Sequence, residues 1–227
     1  MLLNHSDICI KCDNACDWVK MIPDDSSHLL QHITKINFRR KETILKQNSH
    51  ASHIYFLKSG LVKILTERRN EKNILLRIIT PGQFIGLTNL HSEISNFTAI
   101  AMKESELCLI PKDDFFNMMH CSNQFTLEIT ALQSENASFL IERISSIGTK
   151  QMHGRLADAI IYLCSNLSGH NVFDYLSRKD IAELSSMSPE SAIRLLTEFK
   201  NDGLVKANGK QFEINNMELI LRLSEIG

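Results

Sequence analysis

The sequence has no marked charge of either sign, no long apolar run and no recognisable catalytic constellation, and each absence narrows what the chain can be. Lys plus Arg number 25 against 26 Asp plus Glu, a formal net charge of −1. From Lys150 onward the balance is no more basic, with nine Lys and Arg against ten Asp and Glu. Nucleic-acid binding therefore has no global electrostatic footprint and has to be carried by a motif and by locally placed cations such as Arg178, Lys179, Lys206 and Lys210. No apolar run approaches the ~18 residues of a membrane span. The opening MLLNHSDIC carries no basic region followed by an apolar signal core. These features predict a cytoplasmic protein without a membrane partner. Its six cysteines are then reduced and serve metal ligation, reactivity or packing, not disulfides.

Enzyme signatures are missing as well. There is no Ser/His/Asp set and no phosphate-cradling glycine loop. The cysteine order is the reverse of the radical-enzyme spacing, and His50-x-x-His53 is wrongly spaced for two metal ligands on one face of a strand. We expect no catalysis.

What is present is clearest between Leu176 and Asn216. Ser177 can cap a short helix whose apolar positions Ile181, Ala182 and Leu184 lie on one side, and Ser185, Ser186 and Met187 make a turn. A second helix then starts with Ser188 as N-cap, Pro189 at the first helical position, where a missing N–H costs nothing, and Glu190, which the helix dipole favours. Ala192, Leu195, Leu196 and Phe199 recur at helical spacing and face a core, leaving Glu190, Ile193, Arg194 and Thr197 for a partner. Asn201-Asp202-Gly203 stops the helix, and Leu204 to Ile214 reads as two short strands around Asn208-Gly209, a strong hairpin signal. Helix, turn, helix and hairpin make a winged helix-turn-helix.

On these residues the segment from Gly154 to Ile214 resembles the DNA-binding domain of the CRP/FNR family of bacterial transcription regulators (cyclic-AMP receptor protein; fumarate and nitrate reduction regulator). Glu190-x-x-x-Arg194 stands where that family keeps its base-reading Glu and Arg. An Arg fork binds guanine O6 and N7, and a carboxylate one turn away accepts from cytosine N4. In isolation the same pair serves equally as an i,i+4 ion pair on a solvated helix. Pro189 replaces a second base-contacting Arg of the cyclic-AMP branch, and Ile193 is suited to a thymine methyl group. The resemblance implies duplex DNA with palindromic, TGA-containing half-sites. It assigns DNA contacts to Glu190, Ser191, Ile193, Arg194, Arg178, Lys179 and Lys210, and implies RNA polymerase as a further partner.

In the N-terminal half, Leu29 to Ile36 reads as a short helix. Short strands follow at Glu42–Leu45, Ile54–Leu57, Leu61–Leu65, Ile74–Ile79, Phe84–Ile85, Phe97–Met102 and Leu107–Ile110, separated by turn signals such as Lys58-Ser59-Gly60 and Pro81-Gly82. Such spacing predicts an antiparallel barrel or roll. IYFLKSGLVKIL and PGQFIG resemble the cyclic-nucleotide-binding β-roll of the same family. The residues for a cyclic nucleotide are not in place: Gly86-Leu87 stands for Gly-Glu, and Asn96-Phe97 for the phosphate-binding Arg-Ser. A buried phosphate without its Arg is poorly stabilised, so we expect no cyclic AMP.

Cys9, Cys12 and Cys16 form a C-x2-C-x3-C cluster, a partial ligand shell that needs one more donor. A zinc site completed by His5, or a tail without a metal, is equally consistent with the spacing. Ser105 to Pro111 resembles the segment holding the fourth cluster cysteine of the FNR branch, which implies a [4Fe–4S] cluster on Cys9, Cys12, Cys16 and Cys108. Because the spacing of the second and third cysteines is shorter than in that branch, Cys121 is a substitute fourth ligand. Cys108 as a plain buried core cysteine is the other reading. Haem is an alternative cofactor, with His50, His53, His91 and His120 as candidate ligands.

Beyond a short helix over Asp113–Met119, a long one is predicted for Asn123–Ser146. Ile129, Leu132, Asn136, Phe139 and Arg143 continue alternating four- and three-residue steps from Phe125, the spacing of a coiled-coil seam or of a helix packed on its own roll. The resemblance implies a parallel homodimer with a hinge near Gly148. Arg155–Leu163 resembles the first helix of the family's DNA-binding domain, ending at a structural Cys164, and Glu218–Ile226 reads as a terminal helix.

The predicted fold is therefore α+β. It comprises a cysteine-containing extension (1–20), a cyclic-nucleotide-binding-type β-roll (21–120), a long dimerisation helix (121–148) and a C-terminal winged helix-turn-helix (149–227). Resemblance and cysteines together imply a regulator whose DNA binding is gated by an O2- or NO-labile cluster.

Overall fold

The computed structural model describes residues 16–68, 73–167, 169–170, 172–208 and 211–227. The chain forms two compact units. One runs up to Ile64 and takes in Ile78–Ser138; the other is made of Leu65–Arg77 and Phe139–Gly227.

The N-terminal half of the chain carries strands β1 (Thr34–Phe38), β2 (Thr43–Leu45), β3 (His53–Ser59), β4 (Val62–Thr66), β5 (Ile74–Ile79), β6 (Phe84–Ile85), β7 (Thr98–Ala101) and β8 (Ser105–Pro111). They form two four-stranded sheets, ordered β1-β8-β3-β6 and β2-β7-β4-β5. Residues on paired strands alternate between faces. In β3 and β8, Ile54, Phe56, Cys108 and Ile110 point one way, while Leu57 and Leu107, paired with each other, point the other way and are fully buried. The turn between β3 and β4 needs Gly60: its φ is +112°, and a Cβ there would sit 2.1 Å from Ser105 Oγ.

Against the first face pack helix α1 (Lys112–Cys121) and the start of α2 (Asn123–Thr149), together with two 3-10 helices, Asp17–Met21 and Asp24–His32. Trp18, Phe56, Phe84, Phe115 and Phe125 make an aromatic cluster with ring centroids 5.0–5.9 Å apart. Burying one such side chain stabilises by about 2–3 kcal/mol, so the tail after Cys16 is fastened by Trp18 and not by chain connectivity alone. The helix predicted over Leu29–Ile36 is corrected here. The helical stretch ends at His32, and Thr34–Phe38 is an edge strand paired with β8 in the register Lys35↔Cys108. Thr34, Ile36 and Asn37 are exposed and Lys35 and Phe38 half-buried, as suits a strand at the edge of its sheet.

In the second unit, α3 (Met152–Ile161), α4 (Arg178–Leu184), α5 (Pro189–Asn201), the antiparallel pair β9 (Val205–Asn208) and β10 (Gln211–Ile214), and α6 (Met217–Ile226) surround one core. Leu156, Ile160, Ala192, Leu195, Phe199 and Ile220 are each at most 1% exposed within it.

Candidate functional site

The helix-turn-helix is fixed by its caps. Ser177 accepts from the Asp180 backbone N–H (3.1 Å), and Asp180 in turn accepts from the Ser177 backbone N–H (2.8 Å), a reciprocal capping box at the start of α4. Ser188 accepts from the Ser191 N–H at 3.1 Å, with Pro189 at the first position of α5. Between the helices Ser186 takes φ +52°, and after α5 Gly203 takes φ +71°.

Ala192, Leu195 and Phe199 are buried, whereas Glu190, Arg194 and Thr197 are exposed and Ile193 half-exposed. The polar face of α5 thus points away from its core, as the helical spacing requires. Arg178 and Lys179 are exposed at the start of α4, where Lys179 lies 3.7 Å from Glu183. Ser191 is held by the cap, receiving the Ser188 hydroxyl proton at 2.9 Å. Lys210, and Gly209 of the hairpin, lie outside the described residues.

Sequence spacing assigned Arg143 to a seam and did not reveal its hydrogen-bond partners. Its Nη2 donates to the carbonyl of Leu184, the last residue of α4, and to Leu75 O at 3.5 Å. Beside it Arg77 stands over the Phe139 ring at 5.6 Å, and Phe139 packs on Tyr162 at 5.3 Å. The carboxylate of Asp158 receives protons from Ser146 (2.5 Å), Ser224 (2.5 Å) and Lys150 (2.9 Å), joining the end of α2 to α3 and α6. These contacts are long-range, and no local pattern announces them.

The residues predicted for a dimer seam are engaged within the chain itself to different degrees. Ile129 is 1% exposed in the roll-side core and Leu132 packs against that core; Phe139 and Arg143 are engaged as above, and Asn136 is half-buried. The bulkiest apolar stripe of α2 serves its own chain. A second stripe with the same four- and three-residue steps, Leu127, Ala131, Ser134, Ser138, Ile141 and Ser145, is exposed, with Leu127 at 71% and Ile141 at 67%.

Cys108 is fully buried in the roll-side core that contains the aromatic cluster, paired with Phe56 across the strands, and Cys16 packs half-buried against the same core. The Nε1–H of Trp18, two residues after Cys16, is buried there without an acceptor among the described residues. Cys9, Cys12 and His5 lie outside the described residues, among which no group of three or more His, Cys, Asp or Glu is arranged to hold a metal. Cys121 is exposed, its thiol donating to Met118 O at 3.3 Å. Burial pushes the Cys164 thiol up to about 11, which keeps it protonated and unreactive. His50, His53 and His91 line a single cavity of about 490 Å3; His120 does not. Burial lowers the His53 pKa and favours its neutral form.

The chain matches the cyclic nucleotide-binding domain over residues 35–121 and the Crp-like helix-turn-helix domain over residues 154–223. The chain belongs to the CRP/FNR family of transcription regulators. It is 24% identical over 226 residues to the anaerobic regulatory protein of Aggregatibacter actinomycetemcomitans, covering 95% of this chain and 88% of that one. It is 21% identical over 187 residues to the cAMP-activated global transcriptional regulator CRP of Escherichia coli, covering 80% of this chain and 89% of that one. Among solved structures, FixK2 from Bradyrhizobium japonicum shares the fold with a TM-score of 0.76 at 18% identity, over 84% of this chain and 96% of that one. This CRP/FNR regulator thus combines a roll, a long helix and a DNA-binding helix-turn-helix. No helix among the described residues is long and apolar enough to cross a membrane.

The structure places the roll positions Leu87, Asn96 and Phe97 singled out in the sequence as follows. Leu87 is 4% exposed and its carbonyl accepts from Gln133 Nε2 at 3.0 Å. Phe97 is 5% exposed and Asn96 is at the surface.

Proposed function

We propose that this regulator is a homodimer that reads TGA-containing palindromes and whose DNA affinity is gated by an O2- or NO-labile [4Fe–4S] cluster on Cys9, Cys12, Cys16 and Cys108. The observation that carries the sensor reading is that Cys16 and Cys108 both belong to one apolar core, which also holds Trp18, whose indole N–H lacks an acceptor among the described residues. Thiolate donors in apolar surroundings suit an iron–sulfur group. When bound, such a cluster supplies a redox-labile tie between the tail and strand β8. Cys16 and Cys108 contribute thiolates from the two sides of that tie, and Trp18 with Phe56 and Phe84 keeps water from it. Leu87 and Phe97, buried where a ribose carboxylate and a phosphate-binding residue would be needed, support a regulator that does not take cyclic AMP.

On the DNA side, the exposed Arg194 and Glu190 support direct reading of guanine and cytosine, and Ile193 contact with a thymine methyl. Ser191, Arg178, Lys179 and Lys210 serve the phosphates. The Leu127–Ile141 stripe supports a parallel seam that sets two α5 helices about one DNA turn, roughly 34 Å, apart. RNA polymerase is the further partner of a regulator so placed.

A second reading replaces the cluster with haem in the cavity that gathers His50, His53 and His91. A zinc tail is the third. Iron, sulfide and zinc per monomer after anaerobic purification, with an absorbance spectrum, separate the three. The cluster reading expects about four irons and four sulfides, bleaching in air, and their loss in Cys108→Ser. A haem spectrum, or zinc alone, contradicts it.

A further inference from the structure

Beside the helix-turn-helix lies a cavity of about 600 Å3 that neither DNA recognition nor the cysteine site uses. Its walls are the last turns of α2, where Ile141 and Ser145 of the exposed stripe form part of the lining, with α3 and α6, all within the second unit. Phe139, Ile161, Tyr162 and Leu221 give it an apolar side opposed by charged and hydroxyl groups, and its size falls within the ~300–1,000 Å3 of small-molecule sites, which combine apolar walls with convergent polar groups.

Arg143 is the polar group that sets its chemistry. Burial disfavours the charge of its guanidinium, lowering its pKa, and the only acceptors it reaches among the described residues are the carbonyls of Leu75 and Leu184. Its Nε–H is buried with no acceptor, and no described carboxylate comes within ion-pair distance. Asp158 is near enough to favour the charge, but its oxygens are occupied by Ser146, Ser224 and Lys150. A half-buried cation whose hydrogen bonds go only to neutral carbonyls carries a desolvation cost, and an incoming carboxylate would both neutralise it and form a charge-assisted hydrogen bond. Lys150 also lines the cavity but is paired with Asp158, and Glu142 stands on the same walls, so the lining disfavours a multiply charged phosphate more than a single carboxylate.

We infer that this cavity binds a small organic monocarboxylic acid, its carboxylate on Arg143 and its aromatic or branched body against Phe139, Ile161, Tyr162 and Leu221. Because Arg143 also holds the last carbonyl of α4, the ligand touches the residue that fixes the helix-turn-helix. The site is independent of whichever group the cysteines or histidines hold.

The test uses the full chain, labelled at isoleucine methyl groups and titrated with 3-phenylpropionate and, separately, with uncharged 3-phenylpropionamide. The acid should shift the Ile161 methyl signal saturably, with the amide at least ~10-fold weaker, equivalent to ~1.4 kcal/mol. Leu221→Trp fills the cavity from a residue 46% exposed and should abolish the shift. Equal binding of acid and amide, or no saturable shift at millimolar acid, overturns the inference. So does full binding by a folded Leu221→Trp variant.

Discussion

Replacing Arg194 with alanine lowers affinity for a duplex with two TGA-containing half-sites by at least about 30-fold while leaving the fold intact. Arg194 is exposed on the face of α5 opposite Leu195 and Phe199, so its removal opens no cavity. A bidentate Arg–guanine contact contributes about 1–3 kcal/mol of discrimination. Two subunits double this to about 2–6 kcal/mol, or roughly 30-fold to above 10⁴-fold. Fluorescence anisotropy at fixed salt, on the specific duplex and on a scrambled one, separates base reading from charge. Loss confined to the specific duplex supports the assignment. Equal loss on both would make Arg194 a phosphate contact.

The second large effect concerns the dimer. Ile141→Glu should turn the protein monomeric in sedimentation and lower specific DNA affinity by about 10²–10⁴, the avidity that linking two half-site readers supplies. Ile141 is 67% exposed, so the new carboxylate meets water in the monomer and is buried only if α2 pairs with a second copy. Ile129→Glu is the contrast: at 1% exposure it places a charge in the roll-side core and unfolds that unit instead. A dimer that survives Ile141→Glu and Leu127→Glu would place the seam elsewhere.

These two variants mark where sequence reading succeeded and where it stopped. The helix-turn-helix was legible because its determinants are local: Ser177, Ser188, Pro189 and Gly203 act within a few residues of where they stand, and all four occupy the expected positions. The roll was legible from alternation and turns, except at β1. That edge strand is only five residues long and follows a helical stretch without a break signal. In α2 the sequence offered two stripes with the same spacing. The larger side chains, Phe125, Ile129 and Leu132, went to the chain's own core, where they bury the greater apolar area. Periodicity alone does not rank two stripes. Arg143 to Leu184, the Asp158 cluster and the histidine-lined cavity join residues far apart in sequence, so nothing local signals them. Cys108 was legible as a residue of interest, and that Cys16 packs against the same core goes with the packing of Trp18 there.

The most direct test of the account follows DNA binding and cluster content on one sample. Anaerobically purified protein is titrated onto a fluorescent TGA palindrome, exposed to air, analysed for remaining sulfide and titrated again. The account predicts tight binding at first, and an affinity at least ~10-fold weaker, or ~1.4 kcal/mol, once sulfide is lost. Binding that is unchanged after the sulfide is gone, or a protein that binds the palindrome tightly without ever holding iron and sulfide, would contradict it.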